Sequence, residues 1–363
     1  MTTAENQKAG HQFEPFLAAH GWAGAQLRPL AGDASTRSYQ RAALGDRKAV
    51  LMHAPPAAES APCPPDASPD QRETLGYNAM ARLAGPNLAA FTTIAETLNA
   101  AGLSAPKVYA ADLSLGLALI EDLGDDLFAR IADKVDEAAL YEAAIDALIH
   151  LHKERPAAPA SPLYRMLDYD ETALKAEMAL LPEWYWPLKK GEAAPREALA
   201  GFAEAAEKIA RAVTKPSVVV LRDYHAENLL WLPDRKGVAR VGLIDFQDGL
   251  VGAPAYDLVS LLEDARRDVG ADLAAAMIER YCAQAKAIDG FDEARFLSDY
   301  ALLAAQRNAK ILGVFARLAK RDGKARYLDL LPRVEAHFRK DLARDAAAPM
   351  RRWIEEHLPE LAP

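Results

Sequence analysis

One segment, residues 218–257, constrains the fold more tightly than any other part of the chain. It contains three short apolar runs, and the first of them, residues 218–221, is rich in β-branched valine, as is typical of a strand. Asp223 and Asn228 follow that run, and Asp245 follows the last one. Strand ends on a rigid scaffold can aim side chains at a common point. The segment therefore predicts that two carboxylates and one amide converge.

These three side chains are the ones that phosphoryl transfer requires. A carboxylate orients the attacking hydroxyl and accepts its proton, while an amide oxygen and a second carboxylate hold the magnesium ions that neutralise the phosphates. In the protein-kinase arrangement the base Asp and a metal-binding Asn share one loop, and a later Asp-Phe-Gly supplies the second metal ligand. Asp223 precedes Asn228 by five residues, which is the kinase spacing, and Asp245-Phe246 follows after one hairpin. The spacing predicts a phosphoryl-transfer site.

The character of the chain changes near residue 122. Before it, strand patterns alternate with small-residue turns and one or two helical patterns, whereas long helical patterns dominate beyond Gly124. A chain of 363 residues is long enough to bury two cores. We expect an α+β fold with a small antiparallel-sheet lobe, residues 1–122, and a large, mainly helical lobe, residues 123–363.

Composition argues against several classes of protein. The formal net charge of −9 is unfavourable for nucleic acid as the main partner. The two cysteines, Cys63 and Cys282, do not have metal-ligand spacing. No apolar stretch approaches the roughly 20 residues that cross a bilayer, and the first ten residues lack the apolar core of a signal peptide. We expect a cytoplasmic protein that binds small molecules rather than nucleic acid or a membrane.

Three motifs together resemble those of the aminoglycoside phosphotransferase and choline kinase family, which shares the protein-kinase fold. The motifs are Asp223-x-His225-x-x-Asn228, Ile244-Asp245-Phe246 and Gly252-x-Pro254-x-Tyr256-Asp257-Leu258. The resemblance covers roughly residues 25–320. It implies a protein-kinase-like, two-lobe fold and a kinase that uses ATP and Mg²⁺.

Longer runs resemble one branch of this family, the bacterial anomeric amino-sugar kinases of peptidoglycan recycling. The runs are residues 222–225, 243–248, 258–269 and 306–318. This resemblance implies transfer of the ATP γ-phosphoryl group to the anomeric hydroxyl of N-acetylmuramate and N-acetylglucosamine. Two alternatives stay open, namely a kinase of another small hydroxyl metabolite or aminoglycoside, and a non-catalytic regulator that binds a nucleotide.

The resemblance also implies roles for residues of the central segment. Asp223 would be the catalytic base, and His225 would brace its loop. Asn228 and Asp245 would be the Mg²⁺ ligands, and Asp257 would tie the loop to the helix that follows. The alternative interpretation of Asp223 and Asn228 is a pair that stabilises a turn, because both residue types favour turns.

On the nucleotide side, the resemblance implies a turn that covers the phosphates and a hinge that faces adenine. The turn contains Gly32, Asp33, Ser35, Thr36 and Arg37. The hinge would contain Glu121 and Leu123. The family usually has a Lys or Arg on the third strand, where this chain has Met52. Lys48 and Arg37 are the alternatives for that positive charge, and Glu96 is the candidate for its helical partner.

Two cations are the candidates for binding the acceptor. Muramate carries a lactyl ether that ends in a carboxylate, and glucosamine does not. Arg307 and Lys310 are three residues apart in a helical pattern, so they lie on one face of that helix. Arginine can donate two parallel hydrogen bonds to a carboxylate. We therefore expect Arg307, with Lys310, to contact the carboxylate of N-acetylmuramate.

Overall fold

The computed structural model describes residues 13–30, 37–56 and 63–363. Its small lobe is built on a five-stranded antiparallel sheet with the strand order β1-β2-β3-β5-β4. The strands are β1 Gln26–Pro29, β2 Ser38–Leu44, β3 Arg47–His53, β4 Val108–Asp112 and β5 Leu117–Ile120. The antiparallel sheet expected in the first part of the chain is confirmed.

The two faces of this sheet have different surroundings because side chains alternate along a strand. Leu51 of β3 belongs to an apolar cluster with Phe16 of the first described helix, α1 (residues 13–19). Met52, on the opposite face, belongs to the main core together with Phe91. Tyr39 of β2 pairs with Met52 in the sheet, so the odd-numbered residues of β2 share the Met52 face.

The connection between β3 and β4 is helical and docks on the large lobe. Its helices are α2 Pro69–Leu75, α3 Tyr77–Met80 and α4 Leu88–Ala100. Arg72 of α2 is buried and forms an ion pair with Asp170 of the large lobe, with 2.6 Å between Nη1 and Oδ2. Arg82 pairs with the same carboxylate at 3.2 Å. These pairs fix α2 and α3 against the large lobe.

The large lobe is mainly helical, as expected. Its α-helices are α5 Phe128–Ile131, α6 Glu137–Glu154, α7 Glu171–Met178, α8 Trp186–Lys190, α9 Arg196–Ala212, α10 Ala255–Leu262, α11 Ala271–Ala285, α12 Glu293–Lys320, α13 Leu331–Leu342 and α14 Ala348–His357. Helix α12 packs against α7, α9, α10 and α13, so it forms the centre of the lobe. Among the described helices, none has both the length and the apolar character needed to span a membrane.

Two short strand pairs carry the central segment of the sequence, and a third pair lies between α6 and α7. These strands are β6 Ala160–Ser161, β7 Tyr164–Arg165, β8 Val218–Val220, β9 Leu229–Trp231, β10 Val241–Leu243 and β11 Leu250–Gly252. The antiparallel pairs are β6 with β7, β8 with β11 and β9 with β10. Asp223 follows β8 and Asp245 follows β10, so the two carboxylates do not come from neighbouring strands of one sheet. A hydrogen bond of 3.2 Å from the backbone N–H of Ile244 to the carbonyl oxygen of Asn228 joins the two loops.

Candidate active site

Helix α10 supports the loop that contains Asp223. Asp257, which is fully buried, accepts hydrogen bonds from the backbone N–H groups of Leu221 at 2.7 Å and Arg222 at 2.9 Å. Oγ of Ser260 donates to the carbonyl oxygen of Arg222 at 3.2 Å. Arg222 has a φ of 67°, in the left-handed region that is unfavourable for residues other than glycine. The bonds to α10 stabilise this conformation directly before Asp223.

Asn228 and His225 close the other end of the loop. Nδ2 of Asn228 donates to the carbonyl oxygen of Asp223 at 3.0 Å and lies 3.3 Å from Nε2 of His225. Burial lowers the pKa of His225 to about 4. The imidazole is therefore neutral at pH 7, and its Nε2 can accept a hydrogen bond from Asn228. Because the loop engages the amide nitrogen of Asn228, the amide oxygen is the atom left to bind a cation.

Asp245 lies between the loop and the small lobe. Its Oδ1 accepts a hydrogen bond from Nε2 of Gln247 at 2.9 Å and lies 3.3 Å from Nη2 of Arg37. Burial raises the pKa of Asp245; Arg37 opposes this, and the negative charge of Asp223 adds to it. A carboxylate in this setting is stabilised by a nearby cation. Carboxylate and amide oxygens are also the donors that fit Mg²⁺, which proteins bind through one or two carboxylates together with phosphate oxygens.

Behind Arg222, the carboxylate of Glu177 in α7 is fully buried and binds two cations. It forms ion pairs with Arg222 and, at 3.0 Å, with Nζ of Lys310. It also accepts a hydrogen bond from Nε2 of Gln306 at 2.9 Å. One carboxylate between two cations leaves an excess of positive charge next to Asp223.

That excess charge keeps Asp223 ionised. Burial raises the pKa of Asp223, but the positive charges around it, of which Lys310 contributes most, outweigh burial and hold the pKa below its ordinary value. An ionised carboxylate is the form that can accept a hydrogen bond from an attacking hydroxyl. Asp223 is therefore in the form that the expected base would need at neutral pH.

The segment after β5 is held to both lobes by ion pairs. The carboxylate of Glu121 lies 2.6 Å from Nη2 of Arg235 in the large lobe. Arg41 of β2 pairs with Asp122 at 2.6 Å and with Asp125 at 2.9 Å. A cavity of about 320 Å³ opens at this junction, lined by Arg41, Lys48, Asp122, Leu123, Gly124 and Asp125. The adenine contact expected at Glu121 and Leu123 stays a prediction.

Comparison with protein families decides the family of this chain. The model of the phosphotransferase enzyme family matches residues 26–297, a range that includes Asp223, Asn228 and Asp245. The chain belongs to the phosphotransferase enzyme family. The expected family and the expected transfer of a phosphoryl group are confirmed.

Individual relatives of this phosphotransferase agree with the family match. An N-acetylmuramate/N-acetylglucosamine kinase of Caulobacter vibrioides is 45% identical, and the match covers 99% of each chain. A kinase of the same name from Pseudomonas aeruginosa is 33% identical over 91% of this chain and 88% of its own. A choline/ethanolamine kinase family protein from Mesorhizobium loti has a TM-score of 0.54 at 16% identity and covers 99% of both chains. The protein-kinase-like fold expected from the sequence is thus confirmed.

The phosphotransferase departs from its family at the strand cation. Met52, at the position where the family usually has Lys or Arg, is 1% exposed and lies in the apolar core. Lys48 is exposed at the hinge cavity, and Glu96 is exposed on α4. Arg37 instead reaches the expected metal ligand Asp245. Of the two alternatives, Arg37 is therefore the cation next to Asp245, the expected metal ligand. The other residues expected to cover the phosphates lie outside the described part of the chain, namely Gly32, Asp33, Ser35 and Thr36.

The two cations expected at the acceptor have different surroundings. Arg307 is 4% exposed; Nη2 donates to Oγ of Ser260 at 2.8 Å, and Nη1 lies 3.5 Å from the carbonyl oxygen of Glu263. Because Ser260 supports the loop, these bonds give Arg307 a structural role beneath it. Lys310 is partly exposed and lies at the Glu177 site next to Asp223. The contact of Arg307 with the substrate stays a prediction, and Lys310 is the better positioned of the two.

Glu177 is not among the residues predicted from the sequence. The signal is its position, because Leu174, Glu177, Met178 and Leu181 have the spacing of the buried face of one helix. A carboxylate on such a face is rarely buried unless it is paired. That pattern predicts a buried partner, although it does not say which residue the partner is.

Proposed function

We propose that this protein transfers the γ-phosphoryl group of ATP to the anomeric hydroxyl of N-acetylmuramate and N-acetylglucosamine, in the cytoplasm, as a step of peptidoglycan recycling. One observation carries the proposal: Asp223, Asn228 and Asp245 converge in a chain that is 45% identical, over 99% of its length, to a relative of that name. The small lobe, residues 1–122, would bind the nucleotide, and the large lobe, residues 123–363, the acceptor.

Asp223 would act on the acceptor. Its ionised carboxylate would orient the anomeric hydroxyl and accept its proton as the oxygen attacks the γ-phosphorus. Asn228 and Asp245 would hold Mg²⁺, which when bound neutralises charge on the phosphates. His225 would keep the amide nitrogen of Asn228 turned towards the loop, so that the amide oxygen faces the cation.

Strand β2 would run along the nucleotide, from the phosphates at Arg37 to the hinge near Arg41. Arg37 precedes β2 directly and Arg41 lies within it, so the two side chains are on one face and about 13 Å apart along the strand. Arg37 lies at Asp245, and Arg41 lies at the segment after β5. We assign the phosphates to Arg37 and to the turn of residues 32–36, and adenine to the backbone of Glu121 and Leu123.

The charges around Asp223 favour an acceptor that is neutral or anionic. Arg222 and Lys310 together exceed the single negative charge of Glu177. The ionised Asp223 balances that excess, so the site lacks the net negative charge that would select a polycationic aminoglycoside. A regulator without transfer activity would have no use for an ionised carboxylate at the base position. Both alternatives are therefore less well supported than an amino-sugar kinase.

Incubation of the purified protein with MgATP and a panel of sugars tests this proposal. We expect ADP release with N-acetylmuramate and N-acetylglucosamine, and little release with kanamycin, choline or no acceptor. Phosphorylation of the anomeric hydroxyl also removes the reducing end, so reducing-sugar reactivity should fall as ADP accumulates. ADP release without loss of the reducing end would move the reaction to another hydroxyl. No ADP release with either sugar would contradict the assignment of the acceptor.

A further inference from the structure

Helix α12 presents a second cation on the same face as Lys310. Arg317 lies seven residues beyond Lys310, which is two turns along the helix. Its guanidinium carbon is 4.7 Å from the ring centroid of Tyr77 in α3. Tyr77 belongs to the small-lobe connection that the Arg72–Asp170 ion pair holds against the large lobe. Arg317 is therefore at the boundary between α12 and that connection.

The environment of Tyr77 joins Arg317 to the active site. Burial raises the pKa of Tyr77 to about 12, and Glu177, Lys310 and Arg317 all act electrostatically on its hydroxyl. Lys310 in turn acts on Asp223. Asp223 follows Arg222, which shares Glu177 with Lys310, and Arg317 lies two turns beyond Lys310 on α12, so these residues form a path that leads away from the expected base.

Arg317 differs from the other cations along this path in its partners. Arg222 and Lys310 are both paired with Glu177. In the part of the chain that the structure describes, Arg317 has no ion pair, and its buried Nε has no hydrogen-bond partner. The guanidinium lies over the ring of Tyr77 in a cation–π contact that does not use the N–H groups of Arg317. These N–H groups can therefore bind a planar anion.

We propose that Arg317, stacked on Tyr77, binds the lactyl carboxylate of N-acetylmuramate and thereby determines how well this sugar is accepted relative to N-acetylglucosamine. The inference rests on the proposed function. The lactyl ether is attached two ring carbons away from the anomeric centre. The residue that binds its carboxylate must therefore lie to one side of Asp223. A guanidinium can donate two parallel hydrogen bonds to such a carboxylate. N-acetylglucosamine has no lactyl group and would leave Arg317 unused.

The test compares Arg317→Gln with Lys320→Gln, a control on the exposed end of the same helix. For Arg317→Gln we expect kcat/KM for N-acetylmuramate to fall on the order of tenfold to a hundredfold, the range for a hydrogen bond to a charged group. Activity on N-acetylglucosamine should change little, and Arg317→Lys should recover part of the loss. Lys320→Gln should match the wild type on both sugars.

The methyl ester of N-acetylmuramate provides a second readout that needs no variant. The ester has no negative charge, so the wild-type protein should prefer the acid to the ester by about the same factor that Arg317→Gln loses, on the order of tenfold or more. Arg317→Gln should treat acid and ester alike. Equal use of acid and ester by the wild-type protein would overturn the inference, even if Arg317→Gln did not fold. So would equal losses on both sugars in Arg317→Gln. If the wild-type protein phosphorylates neither sugar, the proposed function itself fails.

Discussion

Asp223 belongs to the large lobe and Arg37 to the small lobe, and both lie at the cleft between the lobes. The two residues are held by different means. The backbone before Asp223 is bonded to Asp257 and Ser260, and both of these side chains are fully buried. Arg37 reaches the cleft from the start of a strand and contacts Asp245, whose side chain is 42% exposed. The expected base is thus held by buried bonds to its backbone, while Arg37, itself 11% exposed, contacts a carboxylate that is only partly buried.

This difference reflects what each side must do. A base must stay within a fraction of an ångström of its working position, and buried hydrogen bonds provide that precision. A phosphate-binding cation must admit a nucleotide and then release it, so partly exposed contacts that can exchange suit it better. Variants of the supports behind Asp223 should therefore affect stability, whereas variants of Asp245 and Arg37 should affect nucleotide affinity.

The largest effect on stability should come from Glu177→Gln. The substitution keeps the shape of the side chain but leaves Arg222, which is buried, and Lys310, which is 16% exposed, without their counter-charge. Breaking a buried ion pair in this way costs about 3–5 kcal/mol in the free energy of unfolding. Glu171→Gln, on an exposed turn of the same helix, should cost no more than about 1 kcal/mol. Urea denaturation of both variants measures the difference, and equal stabilities would show that Glu177 does not support the loop.

The next effect should be on metal-dependent nucleotide binding. Asp245→Ala removes one of the two expected Mg²⁺ ligands, so the affinity for MgATP should fall on the order of a hundredfold. Calorimetry with MgATP and with ATP in EDTA measures this effect, because the advantage of Mg²⁺ should disappear in the variant. Asp234→Ala, in an exposed turn, should bind as the wild type does. An undiminished advantage of Mg²⁺ in Asp245→Ala would require a different metal ligand.

The smallest of these effects should be at the strand cation. Arg37→Ala removes the positive charge beside Asp245, and the affinity for MgATP should fall by about tenfold, as expected for a hydrogen bond to a charged group. Lys48→Ala should bind MgATP almost normally, since Lys48 lies at the outer hinge cavity. The opposite ranking of these two variants would identify Lys48 as the replacement for the family's strand cation.

The positions of Asp223, Asn228 and Asp245 in loops could be predicted from the sequence because that information is local, while their catalytic roles stay predictions. The spacing of Asp223 and Asn228, and the Asp245 motif, specify a loop whatever packs around it. The role of Arg307 could not be predicted in the same way. Helical spacing shows that Arg307 and Lys310 share a face, but not that the partner of Arg307 is Ser260, which lies 47 residues away.

The strand cation illustrates the same limit. Met52 shows directly that the strand lysine is absent. Which cation is expected to replace it depends on how β2 lies relative to Asp245. The pairing of Tyr39 with Met52 puts Arg37 and Arg41 on the Met52 face of the sheet. Strand register is set by contacts between distant segments, and so a single sequence left Lys48 and Arg37 as equal alternatives.

The most direct test of the account is a comparison of turnover and nucleotide affinity in Asp223→Asn. The amide keeps the shape of the carboxylate but cannot accept the proton of the anomeric hydroxyl. With N-acetylglucosamine, the account predicts that turnover falls by about 10²–10⁴-fold while calorimetry gives an unchanged affinity for MgATP. Turnover above about a third of the wild-type value, well outside that range, would remove Asp223 from the chemical step and contradict the account.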